Sequence, residues 1–310
     1  MSRSLPAGKN VVIYAGGSII DHYKNLLDSG FTTVILNSLH IHDDSSLWLN
    51  GTEVVDASGK AQPVATQLAE IITELRGGGI TTVLVSIGGG GSFNPNSSGI
   101  NGQHSVSDAD FKAFAAAYWP ANGMTDPLAT TVPIVNNFNV FISTIGGDGI
   151  DLDPEPMFYT YGQLLSSTVA LTEWALDAGM LATWAPYTAQ QSWQAYALAL
   201  GQDGLGQPLT PSWVNVQTWS QGSDLQGWAT AIGVPIGSII GGFYNYDPSY
   251  IQNTLADAVQ GGAQITGAFY WNFDDIASDA ARIANVANAI IAGLAGTSVS
   301  VSPPTAEYQD

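Results

Sequence analysis

Gly147-Asp148-Gly149-Ile150-Asp151-Leu152-Asp153-Pro154-Glu155 is the stretch from which the rest of the chain can be read. As a strand it sends Asp151, Asp153 and Glu155, at i, i+2 and i+4, out of one face, and Ile150 and Leu152 out of the other. Three carboxyls at that pitch, in a site partly stripped of water, raise the pKa of at least one of them, because the last to ionise does so against its neighbours' charge. The arrangement provides a proton donor beside a charged stabiliser. A calcium loop of the helix-loop-helix kind needs its Gly after the alternating acids and a distant Glu, whereas here the Gly comes first and apolar residues lie between the acids. A solvated acidic edge strand would not be flanked by apolar residues and a rigid Pro154.

The segment Asp148 to Glu155 resembles the DGxDxDxE signature of glycoside hydrolase family 18, the chitinases and their relatives. The resemblance implies that it forms the fourth strand of a (β/α)8 barrel. It also implies roles: Glu155 as general acid, Asp153 orienting the N-acetyl group of the substrate, and Asp151 supporting Asp153.

Composition is compatible with that class. A chain of 310 residues with 45% hydrophobic and 11% charged residues can bury a large core. Its 26 acidic against 7 basic residues give a formal charge of -19, which repels nucleic acid phosphates and anionic lipid headgroups but not neutral polymers. Nine Trp, twelve Tyr and ten Phe supply flat faces on which sugar rings can stack. With no Cys, disulfides, thiolate metal sites and a cysteine nucleophile are excluded, and the redox compartment is left open. Met1 to Asn10 has no apolar core of signal-peptide length and no run reaches membrane-spanning length, so the expectation is a soluble monomer, secreted if it acts on external chitin.

Outward from the acidic strand, apolar runs alternate with helical spacing. Strands are expected at Asn10–Ala15, Phe31–Ile41, Thr81–Ile87, Met180–Ala185, Trp213–Trp219, Ile236–Tyr244 and Ile265–Phe273. Helices are expected at Ile20–Ser29, Val64–Arg76, Asp108–Ala117, Tyr161–Ala178, Ser192–Leu200, Leu225–Ile232, Tyr250–Val259 and Ala277–Leu294, with an apolar stretch, Val132–Ile145, leading into the acidic strand. Eight strand-helix units in this length argue for an α/β fold of one domain, a single (β/α)8 TIM barrel over residues 1–296 with a polar tail at 297–310.

The other strand ends carry further matches. Ser86-Ile87-Gly88-Gly89 is similar to the family's SxGG motif, where Gly88 and Gly89 let the backbone pass close to the acidic strand and Ser86 can bond a buried carboxylate. Gly267 to Trp271 resembles the last-strand segment whose Trp forms the floor under the reacting sugar, and Ala185-Pro186 with Tyr187 beside the groove resembles the fifth-strand pattern. Tyr14, on the first strand, joins the substrate-binding candidates, and Asp148 the supporting ones. On the sixth strand the family places a Tyr that grips the N-acetyl carbonyl; here Gln217-Thr218-Trp219-Ser220 keeps Gln217 and puts Trp219 where that Tyr stands. A single helix between the seventh and eighth strands implies the compact type without the α+β insertion, an open groove and endo cleavage.

His40 and His42 share a face, but a zinc site would draw on a third ligand and an oriented second shell, so they read as polarity of a loop near the cleft and no metal is expected. No G-x-S-x-G elbow is present. The expected activity is retaining hydrolysis of β-1,4-linked N-acetylglucosamine polymers by substrate-assisted catalysis, without a cofactor, on chitin or N-acetylglucosamine oligosaccharides. The alternatives are a chitin- or glycan-binding, lectin-like barrel of weak or no activity, and an endo-β-N-acetylglucosaminidase acting on N-glycans.

Overall fold

A computed structural model describes residues 8–89, 110–111, 113–114, 133–155, 163–219 and 224–299. Eight parallel strands close into a barrel: β1 (Asn10–Ala15), β2 (Thr33–Ile41), β5 (Thr82–Gly88), β6 (Gly149–Asp153), β7 (Leu181–Trp184), β8 (Trp213–Val216), β9 (Ile239–Tyr244) and β10 (Gly267–Trp271). Closure is made by β1, which pairs with β10 on one side (Asn10 opposite Gly267) and with β2 on the other (Val12 opposite Thr33). A helical segment follows each barrel strand, as the alternation of the sequence requires.

Helix ends follow local chemistry. Asp224, Asp247 and Asp279 cap the helices Leu225–Ile232, Pro248–Gln260 and Ala280–Leu294, each carboxylate accepting from a backbone N–H of the first turn. Pro63 and Pro248 stand at the first helical positions, where no amide donor is needed.

Several expectations shift. The first helix is only Ile19–His22, continued as a 3-10 turn over Tyr23–Leu26. The apolar stretch before the acidic strand is a helix from Pro133 to Ile145. Of the helix expected at Asp108–Ala117, residues 110, 111, 113 and 114 are described and helical; the remainder lies outside the described residues. The barrel's sixth and seventh strands are shorter than expected, so Gln217 and Trp219 stand just beyond β8, and Ile236–Ser238 forms a 3-10 turn ahead of β9. A hairpin, β3 (Leu47–Leu49) and β4 (Thr52–Val55), extends the end of β2 antiparallel and was not expected. Its turn is Asn50-Gly51, both with positive φ, the sequence signal for a two-residue hairpin loop.

That hairpin also corrects the reading of His40 and His42 as loop polarity. His40 is on β2 and His42 just past it, 1% and 5% exposed. His40 Nδ1 lies 3.0 Å from Asp110 Oδ2, Asp110 Oδ1 accepts from Ile41 N–H at 2.9 Å, and His42 stacks on Trp48. The two imidazoles are packed inside the barrel's wall, and among the described residues no group of three metal-ligating side chains occurs.

Alternation along each strand layers the barrel interior. Its floor is apolar, built from Val12, Ile35, Leu84, Leu181, Trp213 and Ile240. Two residues further along the strands the inward positions become polar, at Tyr14, Ser86, Asp151, Thr183 and Asn215, all buried. Phe269 crosses this layer only because residue 242 is Gly, where a Cβ would sit 2.1 Å from the ring's Cζ. The connection from β9 to β10 holds the single helix Pro248–Gln260. Beyond the last helix, Thr297 O accepts from Gln252 Nε2 at 2.8 Å and Val299 exchanges two hydrogen bonds with Asn253. The rest of the expected tail, 300–310, lies outside the described residues.

Candidate active site

The C-terminal mouth of the barrel gathers the acids. Register sets Ser86 opposite Asp151 and Gly88 opposite Asp153 across β5 and β6, and Thr183 opposite Asp151 across β6 and β7. Asp151, fully buried, takes four donors. Tyr14 Oη (3.0 Å) and Ser86 Oγ (2.8 Å) reach Oδ2, while Thr183 Oγ1 (2.5 Å) and Asn215 Nδ2 (3.0 Å) reach Oδ1. Burial pushes its pKa up and the four donors oppose that rise. Burial beside Asp151 and Asp153 also drives the Tyr14 hydroxyl well above its ordinary range, so Tyr14 is a donor at any working pH.

Asp153 is 2% exposed and faces outward to Glu155 and Gln217. One amide nitrogen, Gln217 Nε2, contacts three acceptors: Asp153 Oδ1 (3.0 Å), Glu155 Oε1 (2.9 Å) and the Ala185 carbonyl (3.1 Å). Asp153 and Glu155 share this one donor on the same face, so ionising both sets like charges against each other. Desolvation raises both, Asp153 well above the usual carboxylate range because the charges of Glu155 and Asp151 add to its burial. Glu155 is only half-buried and is the acid nearest solvent.

Aromatic rings wall the mouth. Trp271 packs 5.2 Å from Tyr14 by ring centroids, and Tyr14 and Trp219 lie 5.3 and 5.6 Å from Phe269. Trp219 and Trp271 are half-buried, leaving ring surface for a ligand. Tyr244, 49% exposed and 5.8 Å from Trp219, continues the wall and was not anticipated from sequence. Tyr187, half-buried, follows β7. Gly89 has φ +99° and donates its N–H to the Asp153 carbonyl at 2.7 Å, and a Cβ there would press on Ser38 Oγ at 3.1 Å. Asp148 is elsewhere. At the opposite end of β6 it accepts from Arg76 Nη2 and Val83 N–H, each at 2.8 Å, and stitches the barrel's bottom. Sequence reasoning also passed over Thr183, Asn215 and Trp213, whose only signal was polar or donor-bearing side chains at inward positions of strands.

Neither a protein-family model nor a curated protein sequence matches the chain. Solved structures do. A GH18 chitinase from Pseudoalteromonas aurantia superposes with a TM-score of 0.61 over 92% of this chain and 100% of that one, at 17% identity. Its fold is that of the GH18 chitinases. A chitinase from Chromobacterium violaceum (TM-score 0.58, 12% identity, 93% of this chain and 99% of that one) superposes as well. So does a Group IV chitinase from Ostrinia furnacalis in complex with allosamidin (TM-score 0.55, 12% identity, 94% and 100%). At these identities the likeness to GH18 chitinases is one of fold, and the resemblance of residues 148–155 to the family signature lies on the strand that carries the acids.

Proposed function

We propose that this chain is a retaining glycoside hydrolase of the GH18 kind, cleaving β-1,4-linked N-acetylglucosamine polymers by substrate-assisted catalysis. The observation that carries the reading is the Asp153–Glu155 pair at the mouth of the barrel, bridged by Gln217 Nε2 at 3.0 and 2.9 Å, where burial raises both carboxyls and favours keeping a proton on the pair, with the outer acid half-buried. Glu155 donates that proton to the leaving glycosidic oxygen. The substrate's acetamido oxygen attacks the anomeric carbon as the C–O bond breaks, forming an oxazolinium ion whose N–H faces the charge left on Asp153. Glu155, now a carboxylate held by Gln217, takes a proton from water as it opens the ring with retention. No step calls on a cofactor. The helix-only link between β9 and β10 carries no inserted domain and supports internal cleavage of a polymer.

A binding-only barrel is the second reading, favoured by Trp219. Its ring packs on Phe269 and Tyr244, the posture of a stacking wall. Incubation with N-acetylglucosamine oligomers and with a glycoprotein separates the cases. Shorter oligomers formed by the wild type, and lost by two to four decades in Glu155→Gln with binding retained, support the hydrolase. Binding without product at any pH from acidic to neutral would leave the lectin-like reading, and product from the glycoprotein alone would reassign the substrate to N-glycans.

A further inference from the structure

We propose that Trp213 and Asn215 are positioning residues that fix the charge of Asp151 and thereby keep the site's proton on Asp153 and Glu155. The four partners of Asp151 differ in what they are able to do. Tyr14, Ser86 and Thr183 are hydroxyls, which rotate and can accept a proton as well as donate one. Hydroxyls alone would tolerate Asp151 protonated or charged. An amide can also present either end, since its oxygen and nitrogen occupy nearly the same space.

The indole removes that freedom. Trp213 Nε1–H is a donor only, and it lies 2.9 Å from Asn215 Oδ1. The carbonyl end of Asn215 is therefore committed downward, and its NH2 must face up to Asp151 Oδ1 at 3.0 Å. On the other carboxylate oxygen, Oδ2, the Tyr14 hydroxyl donates at 3.0 Å. One indole thus orients an amide and, through it, a donor on the carboxylate. Trp213, Asn215 and Asp151 are each 0% exposed, so no solvent competes for these bonds. Trp213 itself cannot drift, because it is part of the apolar floor of the barrel with Val12, Ile35 and Leu181.

The consequence is charge order. The titratable groups facing Asp151 are Tyr14 from β1 and, on its own strand and just beyond it, Asp153 and Glu155. β5, β7 and β8 present only the neutral Ser86, Thr183 and Asn215. With its lone pairs engaged by oriented donors, Asp151 offers no place for the proton of Asp153. Its charge repels a second charge on Asp153, and the proton stays on the outer pair, where the leaving oxygen is to be met.

The test is carboxyl carbon-13 NMR of the full chain labelled at Asp, with the Asp151 signal assigned from Asp151→Asn. In Trp213→Phe, which keeps a ring and removes the donor, Asn215 is no longer held with its NH2 toward Asp151, and the Asp151 titration is expected to move up by about one pH unit as that donor to the charged group is released. Asn215→Leu should move it at least as far, and serves if Trp213→Phe fails to fold. An Asp151 titration unchanged in a folded variant overturns the proposal, whatever happens to thermal stability. The kinetic arm rests on the glycosidase reading: the acid limb of kcat on soluble N-acetylglucosamine oligomers moves up by the same amount, with KM unchanged. Absence of product from the wild type would sink that reading without touching the NMR result, and product with an unmoved Asp151 titration would sink the relay alone.

Discussion

Gln217 Nε2 stands 2.9 Å from Glu155 Oε1, and because an amide nitrogen can only donate, it favours the charged form of the carboxyl. On the proposed reaction, Gln217 supports the second half, when Glu155 would act as base. In Gln217→Leu the carboxylate loses its donor, Glu155 and Asp153 hold their proton to higher pH, and deglycosylation slows. The expected result is a fall in kcat of about tenfold with a pH optimum displaced upward. Steady-state rates across pH check it, and an optimum unmoved or displaced downward would contradict the assignment.

Stability should carry the same electrostatic signature. Folding raises the pKa of Asp151, Asp153 and Glu155, chiefly by burial, so the native state binds more protons than the unfolded chain above the ordinary carboxylate range of about 4. Their contribution is fully present below that range and is lost as pH rises through the folded values. Glu155→Gln carries no proton to lose at this position. Its melting temperature is therefore expected to gain on the wild type as pH goes from 4 to 7, which thermal unfolding at stepped pH would measure. A constant difference across that interval would mean that Glu155 is not perturbed by folding.

Trp219→Phe keeps a ring against Phe269 and Tyr244 and removes the indole donor. If that donor serves the transition state, turnover falls by about two decades while oligomer binding changes only a few-fold. Calorimetric binding to the Glu155→Gln background, beside rates in the active background, separates the two. Equal rates for Trp219 and Phe at this position would reduce it to a stacking wall.

Asp148→Asn tests the other end of the strand. Arg76 and Asp148 are 33% and 28% exposed, so their ion pair is screened, but the same carboxylate oxygen also accepts from Val83 N–H. A loss of about 1 kcal/mol in denaturant unfolding is expected, with kcat and KM unaltered. A specific loss of turnover in a fully stable variant would return Asp148 to the active site.

Much of this molecule was legible in the chain because strand alternation is local. The pleat alone turns Asp151, Asp153 and Glu155 to one face, whatever surrounds them, and the apolar runs between helices require a parallel sheet. Gly88 and Gly89 read as a close approach of backbones, whereas Gln217 read as a substrate-binding residue and its bonds to Asp153 and Glu155 came only with the fold. The hairpin over Leu47–Val55 had its signal in Asn50-Gly51, and Val132–Ile145 had none, since a fully apolar stretch satisfies a buried helix and a buried strand equally.

What the sequence determined by itself was therefore the set of inward and outward positions on each strand. Only the closed barrel decided which inward residues meet. Thr183, Asn215 and Trp213 are ordinary strand residues until register places them beneath Asp151, and Asp148 leaves the site because five residues of strand carry it to the far rim. His40 and His42 moved from surface to wall for the same reason, since Asp110 and Trp48 reach them only through folding. Alternation is dictated by the geometry of a single chain, whereas register is set by closure among eight strands, and the hydrogen-bond partners of the acids follow from register.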